Sequence, residues 1–201
     1  MRDATEHAEG VAQTTDRNTQ YPPTSVLSTH MNTPVIVDAV RTPFGKRDGS
    51  FRDTHPQDLS AEPLEALRKR NGFDPETVED VIYGCVTPIN EQGLNIGRLA
   101  PMVAGWGDGI PGVQLNRMCG SGQQAVNFAA GQIASGAHDV IVAGGVEHMT
   151  RVPMGSDSAE GLDDNSSLTD TYFEHFDELT NQGEGAERIA EQYGFTREDL
   201  D

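Results

Sequence analysis

Lysine is almost absent from this chain. Its 201 residues include 14 basic and 32 acidic side chains, a formal charge of −18, and only Lys46 and Lys69 are lysines. Nucleic acid and anionic membranes both need clustered cations, so neither is expected as a partner. Cysteine is just as scarce, with Cys85 and Cys119 alone and far apart. They form no C-x-x-C pair, no disulfide framework and no zinc-finger spacing, and the expected compartment is a reducing cytoplasm. Aromatic residues are 6% and apolar residues 35% of the chain, enough for a core in part of its length but not throughout. No apolar run approaches the length of a membrane-spanning helix. Many acids, much arginine and little lysine is the balance expected of a salt-adapted (halophilic) protein. At about 1 M ionic strength the Debye length is only about 3 Å, which screens the self-repulsion. An ordinary acidic bacterial protein is the alternative.

Residues 1–30 are polar, carry Pro22-Pro23 and show no period, so they read as a disordered extension. They lack the basic and apolar regions of a secretory leader, and Met31 is a plausible alternative start. From residue 31 strands and helices alternate. Residues 34–40 read as a strand and 41–52 as a polar loop. Residues 58–70 read as a helix with Leu59, Leu64 and Leu67 at near-helical spacing, closed by Asn71-Gly72. Pro63 implies that this helix starts near Ser60 or is kinked. A second strand is expected over 78–86, a helix over 94–106 and a short strand over 113–116. A helix then runs over 123–135, with Val126, Ala129, Ala130 and Ile133 on one face and Gly136 as its stop. The apolar run at 139–143 has the character of a strand buried on both faces. This order predicts an α/β layer with a parallel or mixed sheet over residues 31–147. Residues 148–201 read as a different region: loop to about 164, an acidic stretch over 163–181, a helix over 184–193, and a helix-start signal at 196–200.

Cys119 is the main candidate for chemistry. It lies between a strand and a helix N-terminus, where free N–H groups and the positive dipole end favour a thiolate. Gly120 and Gly122 leave room for a substrate near the backbone. A strand–turn–helix nucleophile serves other acyl-transfer enzymes; a buried structural cysteine is the competing reading. Gly120, Gly122 and Ala125 also fit G-x-G-x-x-A, a dinucleotide fingerprint. Asp139 has about the right spacing for its acidic partner but precedes its strand instead of ending it. Cys85, in an apolar strand, reads as core. His148 and His175 read as structural or solvated, and the acids at 163–177 lack calcium-loop spacing and read as solvated surface.

Several motifs resemble those of thiolases, the acetyl-CoA acyltransferases. Residues 37–45 (VDAVRTPFG) resemble the family's first strand and loop, and Asn116-Arg117-Met118-Cys119-Gly120-Ser121-Gly122 resembles its nucleophile motif. Residues 143–154 (AGGVEHMTRVPM) resemble the segment after its fourth strand, and residues 183–190 (GEGAERIA) resemble its loop-domain helix. The resemblance runs from about residue 34 to the last. It implies the N-terminal half-domain of the thiolase fold, a layered α-β-α arrangement with a mixed sheet, and the start of a CoA-binding loop domain at 148–201. Cys119 would carry the acyl group, CoA thioesters and CoA would be the substrates, and no metal or bound cofactor is implied. The Cys119 amide would serve one oxyanion hole. The implied setting is fatty acid metabolism by a homodimer or homotetramer.

The resemblance also marks what is missing. The family's Gly-His-Pro histidine, its Asn-Glu-Ala-Phe asparagine and its second cysteine in a Cys-x-Gly setting do not occur here. They belong to a second, duplicated half, so the sequence is expected to be a fragment. Asn181-Gln182 stand where some members have His-Met, which resembles the branch acting on longer acyl chains. Two functions follow as expectations: an acyl-CoA thiolase that needs a further half, or a catalytically inactive remnant able at most to dimerise. A ketoacyl synthase fits the VRTPFG and GAERIA segments less well.

Overall fold

A computed structural model describes residues 31–158 and 168–201. The expectations for residues 1–30, and for the part of the acidic stretch within 159–167, fall outside the described residues. The elements are α1 (Pro56–Asn71), β1 (Asp80–Gly84), α2 (Ile96–Val103), β2 (Gly112–Leu115), α3 (Ser121–Ser135), β3 (Ile141–Gly145), α4 (Asp170–His175), α5 (Gln182–Tyr193) and α6 (Arg197–Leu200). The described strands form one sheet in the order β2-β1-β3, and both pairings are parallel. Each crossover carries a helix, as a parallel pair requires.

The central strand divides the core by its pleat. Val81 and Tyr83 face one way and pack with Leu64 of α1, Ala100 of α2, Trp106 and Ile110. Ile82 faces the other way and packs with Ala125 and Ala129 of α3. A period of two on β1 thus gives the α-β-α layering. The Tyr83 hydroxyl donates to the Ser60 carbonyl at 3.1 Å, so this buried phenol is paired, and burial raises its pKa.

Four departures from the sequence reading have physical causes. Helix α1 starts at Pro56, four residues before Ser60, because Pro56 sits at the first helical position and the His55 ring accepts from the Gln57 amide. The helix runs on through Pro63 and ends where Gly72 turns left-handed. The stripe that α3 buries is Ser121, Ala125 and Ala129, because small residues let the helix approach the sheet; Val126 stays 41% exposed. Strand β3 packs on both faces, Val142 towards the α1 side and Ile141 and Ala143 towards α3, but it stays half-buried because it is an edge of the described sheet. Residues 34–40 join no ladder, and Val35, Ile36 and Val37 are 72–83% exposed. A strand needs a partner, and the partner is not among the described residues. A groove of about 1660 Å³ lies between this segment and β3, and Val126, Ala130 and Ile133 line it, the α3 face that periodicity marked as apolar. The expected helix at 184–193 starts at Gln182, α4 adds a short helix inside the acidic stretch, and the start signal at 196 is a capping box of Thr196 with Asp199.

Two sets of glycines bring backbones together where side chains would keep them apart. A Cβ on Gly84 would stand 2.5 Å from the Ser121 carbonyl carbon and 2.7 Å from the Gly122 nitrogen. A Cβ on Gly145 would meet the Gly84 oxygen at 2.5 Å. On the other side of the sheet, a Cβ on Gly112 would meet the Gly97 oxygen at 2.5 Å, so α2 lies backbone-to-backbone on β2. Gly122 has nothing within 4 Å of an added Cβ. Gly84→Ala is therefore expected to lower unfolding stability by about 1–3 kcal/mol, while Gly122→Ala changes it by less than about 1 kcal/mol. Urea unfolding of the two variants at one salt concentration checks the contrast.

Glu65 links the α1 layer to Trp106. Its carboxylate accepts two bonds from Arg68 at 3.0 and 2.9 Å and one from the Trp106 indole at 3.2 Å. The Arg68 hydrogen bond first, then Lys69 and Trp106, lower the Glu65 pKa from 4.5 to about 2. A depressed folded-state value means that this contribution is present above the unfolded value and is lost as pH falls towards the folded one. Stability measured by urea unfolding is expected to decline from pH about 4.5 to about 2, and Glu65→Gln should remove part of that decline.

Candidate active site

Parallel strands place their C-terminal ends on one edge of the sheet, where ligands of open α/β folds bind. At this edge the chain leaves β2 through Asn116 and enters α3 at Ser121. Asn116 Oδ1 accepts from the Met118 amide at 2.8 Å, and its Nδ2 donates to the Val86 carbonyl at 2.8 Å, just after β1. Ser121 Oγ accepts from the Arg117 amide at 2.9 Å and donates to the Met118 carbonyl at 2.5 Å. Two short polar side chains thus close the turn from both ends, a role that suits Asn and Ser. They hold Met118 at a φ of +48°, in the left-handed region that a side chain rarely adopts.

Cys119 is the residue this turn presents. It is exposed, beside the N-cap Gly120 of the fifteen-residue α3. Of the two glycines in the apparent dinucleotide fingerprint, only the first has another structural reason to be there. Gly120 caps the helix, and Gly122 opens onto empty space. Cys85 is buried at the end of β1, as its apolar setting predicts. Burial, with the nearby Glu147 carboxylate adding to it, pushes its thiol up to about 12. The two cysteines are therefore chemically opposite: one is presented and one is sealed.

Glu147 follows β3 and holds the same edge. Its carboxylate accepts from the Val86 amide at 2.7 Å, the Thr87 amide at 3.2 Å and Gln92 Nε2 at 3.0 Å. The buried Gln92 completes its own bonding by donating to the Thr87 carbonyl at 2.8 Å and accepting from the His148 amide at 2.5 Å. His148 is buried and structural, one of the two roles its sequence setting allows. Its Nε2 lies 2.8 Å from the Phe51 carbonyl, which can only accept, so Nε2 donates. Arg151 grips Glu91 with Nε and Nη2 at 2.5 and 2.7 Å and reaches the Arg52 carbonyl at 3.2 Å. These bonds hold the Glu91 carboxyl below its ordinary range. The loop around residue 51 is thereby pinned to the segment after β3. His175, the last residue of α4, is exposed and takes no part in this network.

A third segment reaches the thiol from far along the chain. Gln182, the first residue of α5, places Nε2 4.0 Å from Cys119 Sγ. Cys119 stands out in the sequence, whereas Asn116, Ser121 and Glu147 lie within its motifs with no role of their own visible there. The signal for Asn116 and Ser121 was their spacing around a strand-to-helix turn. For Glu147 it was an acid directly after an apolar strand and two glycines. Among the described residues no group of three or more His, Cys, Asp or Glu is placed to hold a metal ion. No helix among them is long and apolar enough to cross a membrane.

The family described as "Thiolase, N-terminal domain" matches residues 34–201. The chain is 40% identical over 171 residues to the steroid 3-ketoacyl-CoA thiolase FadA6 of Mycobacterium tuberculosis, covering 83% of this chain and 42% of that protein. It is 43% identical over 169 residues to a 3-ketoacyl-CoA thiolase of Acinetobacter baumannii, covering 83% of this chain and 41% of that one. Among solved structures, the acetyl-CoA acetyltransferase of Bacillus anthracis matches with a TM-score of 0.69 at 35% identity, covering 85% of this chain and 44% of that chain. The chain spans about two-fifths of the length of the curated relatives it matches. With the family's N-terminal domain matched across residues 34–201 and its half-domain fold present, this chain belongs to the thiolase family.

Proposed function

We propose that the chain carries the nucleophile of an acyl-CoA thiolase and that Cys119 forms the acyl-enzyme. The observation that supports this most directly is the exposed thiol on a left-handed turn at the N-terminus of α3. In thiolysis the Cys119 thiolate attacks the 3-keto carbon of a 3-ketoacyl-CoA. A carbon–sulfur bond forms, the C2–C3 bond breaks, and the acetyl-CoA carbanion leaves and takes a proton. The thiolate of free CoA then attacks the acyl-enzyme, and the acyl group leaves Cys119 as a shortened acyl-CoA. Condensation is the reverse. The Cys119 amide, at the turn, is suited to receive negative charge on the reacting oxygen.

The base that activates the thiol and the acid that protonates the carbanion come, on this reading, from the family's second half. Substrates are CoA thioesters and CoA, and longer acyl chains are favoured by Asn181-Gln182 in place of His-Met. The complete enzyme is a homodimer or homotetramer in the cytoplasm. A catalytically silent chain that associates through its uncovered apolar edge is the second reading. It draws on Val35, Ile36 and Val37, which remain 72–83% exposed beside the groove.

With the family's second half present in one chain or as a complementing polypeptide, 3-ketoacyl-CoA thiolysis is expected. Cys119→Ser should lower kcat at least about a thousandfold. Full turnover by that variant would sink the nucleophile assignment, and no turnover by the complemented wild type would favour the silent chain. Iodoacetamide near pH 8 should modify Cys119 and spare Cys85, since a buried thiol shifted up to about 12 is neither ionised nor reachable. Peptide mass mapping of the alkylated protein reads this directly.

A further inference from the structure

Cys119 lies between two helix starts. Helix α3 begins two residues after it, and α5 begins at Gln182, whose carboxamide nitrogen is 4.0 Å from the sulfur. Two contacts fix the start of α5 there. Asn181 caps it by accepting from the Glu184 amide at 2.9 Å. Arg188, one helical turn on, pairs with both Glu184 and Glu178, which ties the preceding loop to the helix. No residue of α5 is buried, so burial in the core does not set where its first turn sits. Among the described residues, the carboxamide is the only side chain that hydrogen-bonds the sulfur.

We infer that Gln182 is a positioning residue for the nucleophile: its Nε2–H donates to the Cys119 sulfur and favours the charged, reactive form. The inference rests on Cys119 being the reactive thiol. A donor is worth more to a thiolate than to a thiol, because the hydrogen bond is then charge-assisted. A sulfur acceptor at 4.0 Å makes a long bond, so the expected effect is at the low end of the range for a single hydrogen bond. The same amide would then border the acyl group after transfer. Its free oxygen would face a polar group on the acyl chain more readily than the thioether of a methionine would.

The test uses the chain as it stands. Gln182→Met keeps the length of the side chain and removes the donor. Gln182→Glu keeps the shape, removes the donor and adds a negative charge next to the sulfur. Iodoacetamide is small and uncharged, so its second-order rate with Cys119 at neutral pH reports the sulfur more than access to it. The expected order is wild type, then Gln182→Met slower by about threefold, then Gln182→Glu slower still. The ultraviolet thiolate band, measured against a Cys119→Ser reference, should weaken in the same order. Cys85 reports folding in the same samples, because it becomes reactive only if the core opens. Equal rates and equal thiolate bands in all three proteins would overturn the inference. So would a slower rate for Gln182→Met with Gln182→Glu at the wild-type rate, which marks a role in shape alone. Acyl transfer in the complemented enzyme is read separately. If Cys119 is never acylated there but the alkylation order holds, the thiolase reading fails and the Gln182 contact stands; the reverse outcome removes only Gln182.

Discussion

At the ends of β1 and β3 the structure depends on backbone meeting backbone. Gly84 lets the first turn of α3 rest against the strand, and Gly145 lets β3 close on Gly84. A side chain at Gly84 would push α3 outwards and carry the cysteine turn with it, and one at Gly145 would part β3 from β1. The helix can approach because its own contact stripe is Ser121, Ala125 and Ala129. Ser121 then uses its hydroxyl twice, on the Arg117 amide and the Met118 carbonyl, which locks the left-handed Met118 into place. Strain in that turn is held by packing on one side and hydrogen bonds on the other. Cys119 is exposed because it sits at the crest of a turn that cannot relax.

The second constraint is the placement of charge in a strongly acidic chain. Glu147 is tolerated at the sheet edge because two backbone amides and a buried glutamine satisfy its oxygens. Gln92 serves both sides of this arrangement, and through His148 and Arg151 the network reaches the loop at residues 51–52. Arginine does work here that lysine could not. Arg151 on Glu91 and Arg68 on Glu65 both use two nitrogens against two oxygens, and Arg188 spans two glutamates. Three of the few cations of this chain thus stand where a planar fork counts.

Much of the layer order was legible in the sequence because it depends on local periods. The apolar core of β1, the length of α3 to its Gly136 cap and the stop of α1 at Gly72 all follow from alternation, helical spacing and glycine at a left-handed position. The edges were less legible. Residues 34–40 have the composition of a strand, but pairing is a property of the neighbour, and they pair with nothing described. Helical spacing marks Val126, Ala129, Ala130 and Ile133 as the apolar face of α3, and of these only Ala129 is buried; the buried stripe, Ser121, Ala125 and Ala129, is a row of small residues. Close packing against Gly84 rewards absence of bulk, which hydropathy does not measure.

The sequence by itself determined the α/β order, the position of Cys119 between strand and helix, the contrast between its two cysteines and the family motifs, because each is carried by residues adjacent in the chain. Tertiary structure alone decided which distant residues build the edge that carries that thiol. Asn116 with Val86, Glu147 with Gln92, and above all Gln182 with Cys119 are separated by 30 to 63 positions. Their meeting depends on parallel strands ending on one edge and on a helix start brought back to it. No local pattern encodes a contact over such a span; it exists only once the sheet has set the edge.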